Sequence, residues 1–189
     1  MLKSILPLLG MAGGMVGCFA WGDHPTTWEG RHAKAVDELN TATDEVHRFY
    51  ALNDAAKAAF EVGKIDEARQ HAQTALDLAP KFRDDWNYGN AIHDGHMVLG
   101  RVALKNGDVE AAKRELLLAG ETPGSPQLDS FGPNMSLAKD LLEQKQTDAV
   151  VQYFALCGKF WDLERGNLKR WSILAKAGEM PDFGANLVY

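Results

Sequence analysis

The chain has few of the features that point directly to a chemical activity. Its 189 residues include only two cysteines, Cys18 and Cys157, and no basic run longer than Lys169-Arg170. A nucleophile elbow, a phosphate-binding loop and a His-Glu-x-x-His pattern are all missing. These absences argue against a disulfide-stapled scaffold and a nucleic-acid-binding surface. They also give no reason to expect a cofactor, a metal or a catalytic site.

The longest apolar stretch lies at the N-terminus. Lys3 precedes the apolar, glycine-rich residues 5–16, and no further charge occurs before Asp23. A basic start followed by a short apolar segment is typical of a secretory signal peptide. The segment is shorter than the roughly 20 apolar residues of a membrane-spanning helix. We therefore expect residues 1–20 to be a signal peptide, and the mature protein to be exported to the periplasm or cell envelope.

Two ways of processing this signal remain open. Cleavage after Ala20 would release a soluble protein, whereas cleavage before Cys18 would leave a lipid-anchored one. The segment Met15-Val16-Gly17-Cys18 resembles the lipobox of bacterial lipoproteins, although Met15 stands where Leu is usual. This resemblance implies lipidation of Cys18 as the means of membrane attachment. In the alternative, Cys18 is a small apolar residue of the signal. Either route leaves Cys157 without a partner for an intrachain disulfide.

Small residues recur at helical spacings through the middle of the chain. The first set is Ala59, Gly63, Ala68, Ala72, Ala75 and Pro80, and the second is Gly100, Ala103, Gly107, Ala112, Ala119 and Pro123. Small side chains let two helices approach closely, a glycine turns the chain between them, and a proline ends the second helix. The sequence therefore predicts an all-α protein built from helical hairpins.

This pattern resembles the tetratricopeptide repeat (TPR), a 34-residue helical hairpin. Aligned on the turn glycine, the first copy spans residues 49–82 and the second spans 93–123. A third copy spans 131–157, with Lys145 in place of the glycine. The resemblance implies a TPR-like α-solenoid of about three hairpins. The implied divisions are a signal peptide (1–20), a lead-in and helix (21–48), the repeats (49–157), and a capping helix with a tail (158–189).

The turns are farther apart than an uninterrupted TPR array requires. From Gly63 to Gly107 is 44 residues, and from Gly107 to Lys145 is 38. The extra residues fall in 83–90 and 122–129, both at connections between repeats. Insertions in repeat proteins collect on one face, often the binding face.

Three further segments point to a smaller group of proteins within the TPR superfamily. They are residues 86–93, 124–135 and 181–187, with the sequences Trp-Asn-Tyr-Gly-Asn-Ala-Ile-His, Gly-Ser-Pro-Gln-Leu-Asp-Ser-Phe-Gly-Pro-Asn-Met and Pro-Asp-Phe-Gly-Ala-Asn-Leu. Together they resemble a group of bacterial TPR-containing proteins without an assigned activity. The resemblance covers residue 49 to the C-terminus and implies an architecture but no reaction.

One position of the repeat carries a cation in every copy. Position 9, which faces the concave side of a TPR array, is Lys57, Arg101 or Lys139, and Asn53 stands at position 5 of the first copy. Lys, Arg and Asn side chains are hydrogen-bond donors that suit a carboxylate. The row therefore predicts a site for an acidic peptide or a terminal carboxylate. The alternative is an ordinary solvated helix face.

The densest polar cluster contains Asn87, Asn90, His93, Asp94 and His96. His93 and His96 are one helical turn apart, a spacing at which two imidazoles can share a metal ion. This raises the alternative of a metal- or small-ligand-binding enzyme that uses Asn90, His93 and His96. A structural interpretation is also open, in which the asparagines cap a helix and His96 fills an aromatic position of the repeat.

The leading hypothesis is an exported, non-enzymatic scaffold that binds a protein or peptide through its concave face and inter-repeat loops. The predicted partner-binding residues are Asn53, Lys57, Asn87, Asn90, His93, Arg101 and Lys139. With 26 acidic and 20 basic residues, the chain is a poor match for nucleic acid. Besides the enzyme, a second alternative is a structural subunit of an envelope assembly that docks through its Trp-rich C-terminal end. The oligomeric state remains open.

Overall fold

A computed structural model describes residues 26–188, and this part of the chain is all-helical, without a strand. Its α-helices are α1 (Trp28–Thr41), α2 (Glu45–Glu61), α3 (Ile65–Leu78), α4 (Tyr88–Lys105), α5 (Val109–Gly120), α6 (Pro126–Phe131), α7 (Ser136–Glu143), α8 (Thr147–Cys157) and α9 (Asn167–Lys176). Short 3-10 helices occupy Ala79–Phe82 and Gly184–Leu187. The predicted all-α class is confirmed. The predicted signal peptide and Cys18 lie outside the described residues.

The helix boundaries follow local sequence signals. Asn40, Thr41 and Thr43 interrupt the first helical pattern, and α1 ends at Thr41. Asp44 begins α2 as its N-cap, because its Oδ1 accepts a hydrogen bond from the backbone N–H of His47 at 2.9 Å. None of the helices between residues 26 and 188 combines the length and apolar character that crossing a membrane requires.

Three-residue connections join α2 to α3, α4 to α5 and α7 to α8, and each pair packs together as a helical hairpin. Gly63 and Gly107 turn the chain in the first two, with φ of 79° and 81°. Lys145 occupies the corresponding place in the third with φ of 61°. A side chain tolerates this left-handed conformation at a cost of about 1 kcal/mol.

Alanines form the contact between α2 and α3. Ala55, Ala56 and Ala59 on α2 face Ala68, Ala72 and Ala75 on α3, and all six are at most 1% exposed. Small side chains let the two helix backbones approach closely, as the sequence predicts. This tight packing fixes α2, the helix that carries Asn53 and Lys57.

The largest apolar core lies towards the C-terminal end, where α5, α7, α8 and α9 meet. Phe154 and Trp171 are buried there, together with Phe183 from the tail. The tail is held by the indole N–H of Trp171, which donates to the Asp182 carbonyl at 3.0 Å. Cys157 is fully buried in the same core, and burial raises the pKa of its thiol.

The two inserted segments contact each other. The Thr122 hydroxyl donates to the Gly89 carbonyl at 2.7 Å. A Cβ built on Gly89 would lie 1.8 Å from the Gly124 carbonyl oxygen, so only glycine permits this approach. Residues 83–90, which include the first turn of α4, therefore pack against residues 122–129, and the two segments together form a wall that borders the candidate site.

Candidate functional site

An open cavity of about 480 Å³ lies between α2, α4 and the inserted segments. Four residues predicted from the sequence line it, namely Asn53 and Lys57 on α2, with Asn87 and Asn90 at the start of α4. We call this cavity the central groove. The structure thus brings together predicted residues that are up to 37 positions apart in sequence.

A buried carboxylate, Asp94, organises the polar side of the groove. It is 9% exposed, and its Oδ2 accepts hydrogen bonds from Asn53 Nδ2 at 3.0 Å and Lys57 Nζ at 3.2 Å. Lys57 Nζ also lies 3.0 Å from Asp54 Oδ1. Burial alone would raise the pKa of Asp94, but the charge of Lys57 and the hydrogen bond with His93 hold it well below its usual range. Asp94 is therefore ionised beneath the groove.

His93 lies behind the groove and does not line it. Its side chain is completely buried, with Nδ1 at 2.9 Å from Asp94 Oδ1 and Nε2 at 3.1 Å from the Tyr153 hydroxyl. That hydroxyl donates to the Asn134 carbonyl at 2.9 Å. In this structure His93 has no surface with which to contact a partner directly. It is connected to the groove by its contact with Asp94, and by Tyr153, whose hydroxyl bonds to the groove residue Asn134.

Arg101 and Lys139, the other members of the predicted cationic row, do not line the central groove. Arg101 pairs with Glu61 on α2 at 2.6 Å and lies 3.6 Å from Asp140 on α7. Its guanidinium also covers the Phe60 ring, 4.2 Å from the centroid. Lys139 pairs with Glu143 one turn along its own helix. The row therefore does not present three unpaired cations to one ligand, and partner contact at Arg101 and Lys139 stays a prediction.

The inserted segments supply carboxamide groups to the groove wall. Asn90 Nδ2 donates to Asn87 Oδ1 at 2.9 Å and to Gln127 Oε1 at 3.3 Å. The hydroxyl of Ser125 donates to Asn90 Oδ1. Asn87 holds the N-cap position of α4, but its side chain makes no capping hydrogen bond. These asparagines therefore join the two inserts and do not cap the helix through their side chains.

Two carboxamide atoms of the groove residues have no hydrogen-bond partner. Asn53 Nδ2 donates to Asp94, so its Oδ1 faces the other way and is left without a donor. Asn134 Oδ1 accepts from the Ser136 backbone N–H at 2.8 Å, so its Nδ2 is left without an acceptor. The partners fix both amide orientations, because a carboxylate only accepts and a backbone N–H only donates.

An aromatic pair forms the rim of the groove. The rings of Tyr50 and Trp86 lie 5.5 Å apart, and Trp86 is 52% exposed. The Tyr50 hydroxyl donates to Asp85 Oδ2 at 2.6 Å, and this hydrogen bond, with a smaller effect of burial, raises the pKa of Tyr50. A half-exposed Trp beside a fixed Tyr provides a flat apolar contact for a ligand.

A second cavity, of about 330 Å³, adjoins the central groove between α1 and α2. Glu38, Thr41 and His47 line it, and it shares Tyr50 and Asp54 with the central groove. We call it the α1–α2 pocket. The shared residues make the two cavities neighbours on one side of α2.

Several groove residues were not predicted as site residues from the sequence, among them Tyr50, Asp54 and Gln127. The α2 residues carried a usable signal, because Tyr50, Asn53, Asp54 and Lys57 occur at intervals that place them on one helix face. Gln127 carried no such signal, since it reaches the groove only through the contact between the two inserted segments.

The histidine pair predicted as a possible ligand site has separate partners. His96 Nδ1 lies 2.7 Å from Glu115 Oε2 on α5, whereas His93 contacts Asp94 and Tyr153. Within residues 26–188, no group of three or more His, Cys, Asp or Glu side chains is placed to hold a metal ion. The enzyme alternative that uses Asn90, His93 and His96 stays a hypothesis.

Comparison of the chain with protein-family models, curated proteins and solved structures found no match.

Proposed function

We propose that this chain is a TPR-like scaffold that binds a protein or peptide segment in the central groove. The observation that carries the proposal is the groove itself: an open cavity of about 480 Å³, lined by carboxamides and an aromatic pair. Such a lining offers hydrogen-bond donors, acceptors and flat apolar contacts, which are what a peptide segment requires.

The packing order supports the TPR-like part of the proposal. The first helices of the three hairpins are neighbours, since α4 contacts both α2 and α7. Ion pairs cross these contacts, from Lys57 to Asp94 and from Arg101 to Glu61 and Asp140. In a solenoid, each repeat contacts its neighbours in this way and the first helices line one face.

The positions of the histidines support binding in preference to catalysis. Neither His93 nor His96 lines the central groove, and each is engaged with a carboxylate. A general base must come within hydrogen-bond reach of a substrate proton. Neither histidine is therefore placed to act on a ligand held in the central groove.

Selection from a random peptide library displayed on phage tests the proposal, with the mature protein as bait. We expect peptides to be selected and to bind with unchanged affinity to Leu163→Ala, but roughly tenfold more weakly to Trp86→Ala. Leu163 is a matched control, because both side chains are 52% exposed and Leu163 does not line the groove. Failure to select any peptide, or equal binding by both variants, would overturn the proposal.

Export is proposed from the sequence alone, with lipidation of Cys18 and cleavage after Ala20 as the two alternatives. The mass of the N-terminal peptide of the mature protein tests them. An unmodified N-terminus at Trp21 would indicate cleavage after Ala20 and a soluble protein, and an acylated Cys18 would indicate a lipoprotein.

A further inference from the structure

We propose that the central groove, together with the adjoining α1–α2 pocket, takes a segment that bears a cationic side chain, Lys or Arg, and disfavours an acidic one. This inference rests on the proposed function, because it assumes that the groove binds a peptide. It reverses the sign of charge that the sequence predicted for the partner. The lining charges, the aromatic rim and the unpartnered acceptor of Asn53 each contribute to it.

The charges that line the two adjoining cavities are mainly negative. Among the described lining residues, Glu38, Asp54 and Asp94 are carboxylates and Lys57 is the one ammonium group. The imidazole of His47 also lines the α1–α2 pocket, and its Nδ1 lies 2.7 Å from the carboxylate of Asp44. Lys57 lies 3.0 Å from Asp54 and 3.2 Å from Asp94, so two carboxylates share it. An acidic ligand would therefore compete with two existing partners for one cation, while a cationic ligand would meet surplus negative charge.

The carboxylates nearest to solvent remain accessible to a ligand. The side chain of Asp54 is 64% exposed and that of Glu38 is 46% exposed. Glu38 pairs with Lys34 at 2.8 Å, but Lys34 lies outside the lining, and exposed pairs of this kind are weak. A ligand cation can take the place of Lys34 at little cost.

The aromatic rim favours the same charge. Tyr50 and Asp54 are one turn apart on α2, so the ring and the carboxylate lie on one helix face. Cations are attracted to the faces of Trp and Tyr rings. The Asp85 carboxylate on the Tyr50 hydroxyl adds a further negative charge at this edge. A Lys or Arg side chain can thus lie against the rings with its charged end near Asp54.

Two carboxamide atoms among the groove residues lack a hydrogen-bond partner that a ligand could supply. Asn53 is 5% exposed, and its Oδ1 is an acceptor without a donor, which a ligand N–H can satisfy and a carboxylate cannot. Asn134 is 6% exposed, and its Nδ2 suits the backbone carbonyl of the same segment. Both atoms expose less than 1 Å², so neighbouring side chains must shift as the ligand enters.

The test uses the peptides obtained in the phage selection. We expect them to be enriched in Lys and Arg, and we expect the tightest to lose roughly tenfold in affinity when its cationic residue is changed to Glu. In the protein, Asp54→Asn and Glu38→Gln should each weaken that peptide several-fold and reduce the salt dependence of its affinity. Asp66→Asn is the matched control, because Asp66 is 93% exposed, pairs with Arg69 and lies outside both cavities.

The outcomes separate this inference from the proposed function. Selected peptides that are neutral or acidic, or that bind equally to Asp54→Asn, Glu38→Gln and the wild type, would overturn the cationic preference and leave peptide binding intact. If no peptide is selected at all, the proposed function fails and the inference fails with it.

Discussion

Lys57 on α2 and Asp94 on α4 form an ion pair of 3.2 Å that joins the first two hairpins beneath the central groove. Asn53 donates to the same carboxylate oxygen, and His93 contacts the other one. The ion pair therefore has two effects. It fixes the spacing of α2 and α4, and it sets the charge that a ligand meets in the groove.

Removing the carboxylate of this ion pair should destabilise the folded protein. Asp94→Asn should lower the free energy of unfolding by about 3 kcal/mol, because it removes the buried carboxylate that accepts hydrogen bonds from Lys57 and Asn53 and contacts His93. Urea unfolding followed by circular dichroism measures this loss. Asp66→Asn removes a carboxylate that is 93% exposed and should change stability by less than about 0.5 kcal/mol. Equal losses in the two variants would contradict the structural role of Asp94.

The lowered pKa of Asp94 should also make the stability of the protein depend on pH. The pKa of Asp94 is lower in the folded protein than in the unfolded chain, so its stabilisation is present above the unfolded value of about 3.9. That contribution is lost as the pH falls through the folded-state pKa. Between pH 6 and pH 2 the wild type should lose more stability than Asp94→Asn, as measured by urea midpoints. Parallel pH curves would show that Asp94 is not held ionised.

Sequence reasoning captured the parts of the fold that local spacing determines. Turn positions such as Gly63 and Gly107 were identifiable because a helical pattern stops and resumes around them, and both have positive φ. The third turn was placed at Lys145 although no glycine marks it, because the alignment of residues 131–157 on the repeat puts Lys145 at the position of the turn glycine. α1 ends among Asn40, Thr41 and Thr43, which are weak helix formers.

The groove was only partly predictable, because its charges depend on contacts between distant segments. Position 9 of the repeat identified Lys57, Arg101 and Lys139 as a row, but their spacing does not indicate which carboxylates will neutralise them. Asp94 was recognised only as a member of a polar cluster, since its burial depends on how α4 packs against α2. Sequence periodicity identifies the face of a helix, whereas the partners of that face come from tertiary packing.

Arg101 and Lys139 occupy the same repeat position in different surroundings, so the cost of reversing the charge can be compared at the two residues. Arg101→Glu should destabilise the protein by about 3 kcal/mol, because it places a new carboxylate between Glu61 and Asp140 and removes the contact with Phe60. Lys139→Glu changes the same repeat position on a side chain that is 37% exposed, and should cost less than about 1 kcal/mol. Thermal and urea unfolding of both variants would measure the difference. Similar losses would mean that the Arg101 ion pairs do not support the packing of α2, α4 and α7.

The contact between the inserted segments should fail when a methyl group is added at Gly89. Its Cβ would meet the Gly124 carbonyl oxygen at 1.8 Å, and backbone atoms cannot yield as a flexible side chain can. Gly89→Ala should therefore cost about 2 kcal/mol or displace residues 122–129 from α4. Gly158→Ala is the control, because its Cβ would have no neighbour closer than 3.6 Å.

Urea unfolding gives the cost of Gly89→Ala, and amide hydrogen exchange at residues 122–129 shows whether the segment has moved. If the segment is displaced, Gln127 leaves the groove wall and exchange there becomes faster, while α8 and α9 remain protected. Full stability with unchanged exchange would mean that the inserts are not held together by this close approach. The wall of the groove would then need another explanation, because Gln127 reaches Asn90 only through that contact.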